Sequence, residues 1–213
     1  MPASESDALI RFRKSMVMDF DKWHDGLPYD IDALTQITRV EADQLTNELV
    51  AKSSLDWRDV EALRALATPK ALARVGVAAK DQHDDGGVSA LAHEIETENL
   101  TPEREKRLCE LLERALVMSM SLDVLYDLAA ANTTPAVMAQ VFRGARVAGD
   151  EATRYSFGAF LLYLNGYTDD WYGFEGDLRP HLLDLNSADY KTYKAAVAWL
   201  QEKVDNPKAR MGS

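Results

Sequence analysis

Three Thr-Pro dipeptides, Thr68-Pro69, Thr101-Pro102 and Thr134-Pro135, follow one another at an interval of 33 residues, twice in succession. A threonine side chain accepts a hydrogen bond from the free N–H groups of a helix's first turn, and proline at the next position has no N–H to leave unsatisfied. Each dipeptide therefore predicts a helix start. Behind each runs an amphipathic stretch: Leu72, Val75 and Ala79; then Leu108, Leu111, Leu112 and Ala115; then Met138, Val141, Phe142 and Ala145. Ahead of them, residues 57–66 (Val60, Leu63, Leu66), 88–98 (Leu91, Ile95) and 122–131 (Val124, Leu125, Leu128) carry apolar positions at helical spacing. The prediction is three helix pairs, the Thr-Pro helix being the second of each. The first and third pairs share a pattern, Asp59-Val60 with Leu63 and Leu66, and Asp123-Val124 with Leu125 and Leu128.

A two-helix unit recurring every 30 to 45 residues or so is the mark of an α-solenoid. On this period the segment 56–149 resembles HEAT repeats. The resemblance implies an all-α fold of stacked antiparallel helix pairs, with little or no β structure, and a concave face that binds protein. The chain departs from that pattern in an expected loop insertion at 82–87 and in degenerate helices at both ends. The expected organisation is one helical-repeat domain over 1–213: N-terminal helices and cap (1–55), three helix pairs (56–149), a C-terminal cap (150–207) and a frayed tail (208–213).

Outside the repeats, a first helix is predicted over 6–20, then a loop over 22–29. Thr38 with Glu41 makes a capping box that opens a helix to about Lys52. Residues 150–164 read as an apolar helix, 165–176 as a long turn-rich loop, and Ser187 as the cap of a last helix carrying Tyr190, Tyr193, Val197 and Leu200. No stretch alternates with period two, so no sheet is expected. No run approaches the ~18 apolar residues of a membrane helix. Residues 1–7 lack the pattern of a secretory signal, and the expected compartment is the cytoplasm. The single cysteine, Cys109, lies among Leu108, Leu111 and Leu112 and is expected to be a packed or half-buried thiol.

The formal charge is −11. Such a field repels phosphate backbones and favours basic partners, so nucleic acid is an unexpected ligand. Gly-rich phosphate loops, the His-Glu-x-x-His zinc motif, the Gly-x-Ser-x-Gly elbow and paired cysteines do not occur. No catalytic residue, cofactor or metal site is predicted. His83 with Asp84 and Asp85 fits a solvated acidic loop better than a cation site, and His181 with Asp184 is too common a pair to mark a site.

Two segments combine aromatic rings with carboxylates. One contains Trp23, His24 and Asp25, where Gly26 and Pro28 fix the backbone; the other contains Tyr163, Tyr167, Asp169, Asp170, Trp171, Tyr172 and Glu175. Rings supply contact area at small entropic cost, and carboxylates attract lysine and arginine on a partner. The same rings are equally suited to plugging the ends of a helical stack. The candidate partner-binding residues are Asp169, Asp170, Trp171, Tyr172, Glu175, Trp23, His24 and Asp25. The expected function is a non-catalytic module binding a basic protein; in charge and size the chain looks like immunity proteins that neutralise a basic toxin. A scaffold or assembly chaperone is the alternative, with oligomeric state open. A HEAT-like DNA glycosylase is a further one, disfavoured by the acidic balance.

Overall fold

The computed structural model describes residues 5–20, 26–82, 84–114, 120–148, 150–170 and 176–208. Among them the fold is all-α: twelve helices and no strand. The chain divides into two compact units, Met1–Asn99 and Leu100–Ser213. The first contains α1 (Asp7–Met16), α2 (Ile31–Leu34), α3 (Arg39–Val50), α4 (Trp57–Leu66), α5 (Pro69–Asp81) and α6 (Asp85–Glu98). The second contains α7 (Pro102–Arg114), α8 (Met120–Ala131), α9 (Pro135–Val147), α10 (Glu151–Leu164), α11 (Arg179–Asp184) and α12 (Tyr190–Asp205).

All three Thr-Pro dipeptides open helices, at α5, α7 and α9. The hydroxyl of Thr68 accepts from the Ala71 N–H at 3.1 Å, that of Thr101 from Arg104 at 3.3 Å and that of Thr134 from Val137 at 3.2 Å. Each satisfies one of the orphan donors of the first turn. The helix before two of these starts ends in a non-glycine residue of positive φ, Ala67 (φ 49°) after α4 and Asn99 (φ 70°) after α6. The capping box at α3 is present in both directions between Thr38 and Glu41.

Three boundaries differ from the sequence reading. Helix α1 stops at Met16 instead of running to residue 20. The Ser15 hydroxyl donates to the Phe12 carbonyl at 2.6 Å and accepts the Asp30 N–H at 2.9 Å, tying the start of α2 to the end of α1. The insertion expected at 82–87 is only a three-residue connection. Asp84 caps α6, accepting from the Gly87 N–H at 3.1 Å, and Gly86 and Gly87 lie in the first helical turn. These glycines permit close approach: a Cβ on Gly86 would sit 1.9 Å from the Leu55 carbonyl oxygen, and one on Gly87 2.3 Å from that of Gln82. The last helix is capped by Asp189, not Ser187, because the Asp189 carboxylate reaches the Thr192 N–H at 2.9 Å while Ser187 Oγ only accepts from the Asp189 N–H.

Packing follows chain order. The broadest interfaces join each of α5 and α9 to the helix after it, α6 and α10, more than to the helix before. Helices two apart also pack: α2 with α4, α3 with α5 and α4 with α6 in the first unit, and α7 with α9 and α10 with α12 in the second. Leu9, Phe12, Leu45, Leu49, Leu63 and Leu91 are fully buried in the first unit, and Leu108, Tyr126, Phe157, Phe160, Leu182 and Leu200 in the second. Leu72, expected in the α5 core face, is exposed; Ala71, Val75, Ala78 and Ala79 fill that face instead. Small side chains let α5 lie close to α6.

Candidate functional site

The first unit carries a buried polar knot at the start of α4. Asp56 caps the helix by accepting from the Asp59 N–H at 2.9 Å, and Asp59 returns the bond by accepting from the Asp56 N–H at 3.2 Å. Asp59 also accepts from the Tyr29 hydroxyl at 3.2 Å and from Lys52 Nζ at 2.6 Å. Burial, then the neighbouring Asp59 charge, pushes the Tyr29 hydroxyl above its ordinary range. The residue buried beside it is Arg58. Its guanidinium lies 5.4 Å from the Trp57 ring and 5.9 Å from the Tyr29 ring, with Trp57 itself half-buried. This knot fixes Tyr29, and Tyr29 fixes the chain entering α2.

Beside the knot opens a cavity of about 730 Å³, lined by Pro28, Tyr29, Asp30, Ile31 and Asp32 from the start of α2, by Glu61, Arg64 and Ala65 from α4, and by His93 from α6. Glu61 and Arg64 are three apart and share a face of α4, and the packing of α4 on α6 brings His93 to them. Asp30 caps α2 through the Ala33 N–H at 3.1 Å and pairs with Arg11 at 2.8 Å. Arg64 reaches across to Glu96 on α6 at 3.3 Å. Burial raises the Glu61 carboxyl above the usual range. Burial, followed by the Arg64 charge, lowers the His93 imidazole below its ordinary value.

Pro28, Tyr29 and Asp30 end the first of the two aromatic and acidic segments read from the sequence, whereas Ile31, Asp32, Glu61, Arg64, Ala65 and His93 stand among no candidates. Glu61 and Arg64 resemble any solvated helix face there. Only the stacking of helices two apart reveals that the face is a cavity wall.

Of those candidates, Asp169 and Asp170 are exposed. Just before them, Tyr167 is anchored: its hydroxyl donates to the Asn206 carbonyl at 2.5 Å, and Lys203 and Lys208 sit 5.3 and 4.7 Å from its ring centre. Tyr163 stacks on buried Phe160 at 6.2 Å. Trp171, Tyr172, Glu175, Trp23, His24 and Asp25 lie outside the described residues, as does His83. Asp84 is held by Ser54 at 2.9 Å and Gln82 at 2.9 Å besides its cap bond. No group of acidic, histidine or cysteine side chains suited to a metal ion occurs among the described residues. His181 stacks on Trp199 at 4.5 Å, joining α11 to α12. Cys109 is half-buried, and burial raises its thiol pKa. Among the described residues no helix is long and apolar enough to cross a membrane.

Charge is unequal between the units. Residues 1–99 carry 19 acidic and 11 basic side chains, a net −8, and residues 100–213 carry 16 and 13, a net −3. The site is thus an acid-rich cavity set in the more acidic unit of an all-α protein. Comparison of the chain with known protein families, with curated proteins and with solved structures finds no match.

Proposed function

We propose that the chain is a HEAT-like helical-repeat module, non-catalytic and cytoplasmic, that binds a basic protein, and that it acts in the manner of an immunity protein by covering a basic toxin. The observation that carries this reading is the concentration of acid in the first unit, where Asp30, Asp32 and Glu61 line one cavity and Glu96 stands beside it. Such a field steers a positively charged partner to the surface and discriminates against acidic ones. The packing of helices two apart within each unit supports the repeat reading. In the second unit Asp169 and Asp170 are exposed, and two aromatic residues follow them in the sequence.

The test is affinity capture of the tagged full chain from its source lysate, washed at low and at high salt. A single basic protein at one-to-one stoichiometry, weakened by salt, is the expected result. Toxicity of that partner when expressed alone, relieved by co-expression of this chain, is the result expected for immunity. Retention of acidic proteins, or of nothing at either salt, would overturn the reading.

A further inference from the structure

We propose that the cavity between the start of α2, α4 and α6 is a binding site for an organic cation, an alkylguanidinium or alkylammonium group, with Glu61 as its counter-ion. At about 730 Å³ the cavity falls within the usual range of small-ligand sites. Pro28, Ile31, Ala65 and the Tyr29 ring give it apolar walls on which a hydrocarbon stem packs, while the charged head stays with the acids.

The polar residues differ in how far they are already engaged. Asp30 is held by Arg11 and by its cap bond. Arg64 turns to Glu96, and among the described residues its guanidinium is the only full positive charge on the cavity wall, since burial keeps His93 toward the neutral form. Against it stand Asp30, Asp32 and Glu61. Glu61 is half-buried, and among the described residues it forms no hydrogen bond and no close ion pair; burial raises its carboxyl and only the Arg64 charge acts against that. A carboxylate withdrawn from water without a donor is costly, and a charged donor is the strongest remedy. An anionic ligand would meet Asp32 and Glu61 against the single Arg64 charge, Asp30 being already paired. A purely apolar one would bury Glu61 further without a partner.

This site goes beyond the partner reading and is testable without a partner. The full chain is titrated with propylguanidine and with its neutral counterpart propylurea, following backbone amide signals by NMR. Propylguanidine is expected to shift residues 61–65 and 93, and propylurea to leave them in place. Glu61→Gln, which keeps size and removes charge, is expected to weaken binding about tenfold or more. Asp32→Asn, on an exposed residue that leaves the fold untouched, is expected to weaken it several-fold.

An acetylated and amidated Gly-Arg-Gly peptide separates the two sources of such a cation. Binding as tight as propylguanidine's assigns the site to a basic side chain of a protein. Exclusion of the peptide with retention of the small cation assigns it to a free metabolite. Equal shifts from propylguanidine and propylurea, no shift at the cavity, or unchanged affinity in both variants would overturn the proposal. A basic partner captured by a chain whose cavity ignores propylguanidine would leave the partner reading standing and remove this one.

Discussion

Glu41 shows how one side chain ties distant parts of the first unit together. Its carboxylate accepts from the Ser6 N–H at 2.7 Å, from the Thr38 N–H at 2.8 Å and from the Thr38 hydroxyl at 2.9 Å, so that the caps of α1 and α3 share one acceptor. The backbone bonds from Ser6 and Thr38 pull its pKa from an ordinary 4.5 down to about 2. A depressed folded-state value means that the stabilisation is complete above the ordinary value and is lost as pH falls through about 2. The stability gap between wild type and Glu41→Gln is therefore expected to be flat above about pH 5.5 and to narrow progressively below it. Thermal unfolding across that range checks this, and a gap unchanged down to pH 2 would refute it. Ala67 makes the opposite point. At φ 49° its Cβ crowds the backbone, a strain of about 1–2 kcal/mol that glycine lacks. Ala67→Gly is expected to stabilise the protein by about 1 kcal/mol in a urea titration. A loss of stability there would show that the position relaxes without glycine.

At the scale of the element, the helix starts were the most legible part of the sequence because a cap is a local event. Threonine and proline act on N–H groups within one turn, and all three Thr-Pro sites open helices. Thr134→Ala is expected to cost about 1 kcal/mol in chemical denaturation, and Thr134→Ser much less. The boundaries that were misread depend on contacts from elsewhere in the chain. Gly86 and Gly87 suggest a loop when read alone; in the fold they admit the Leu55 and Gln82 carbonyls against the first turn of α6. Gly144 is similar. A Cβ there would lie 2.6 Å from the ring of buried Phe157, which is itself packed edge-on against Tyr126 at 5.8 Å and has no room to retreat. Alanine at an ordinary helical position gains about 1 kcal/mol over glycine, but overpacking a rigid core costs about 1–3 kcal/mol. Gly144→Ala is thus expected to be net destabilising. A rise in midpoint would mean that α9 and α10 part easily.

For the whole molecule, the all-α class followed from periodicity, whereas the cavity did not. Glu61, Arg64 and His93 are ordinary letters on two helix faces, and their convergence depends on α4 packing on α6. The uneven division of charge, net −8 in residues 1–99 against −3 in 100–213, was present in the sequence. It becomes informative only when the unit boundary is known. The central claim is that this acidic surface engages a basic protein. The most direct measurement compares wild type with the triple variant Asp32→Asn, Glu96→Gln, Glu98→Gln, all exposed positions, in salt-graded capture followed by mass spectrometry. The expected result is a basic partner held by wild type at low salt and lost by the variant, with the fold of both intact by circular dichroism. A partner retained equally by both, at low and at high salt, would contradict the account.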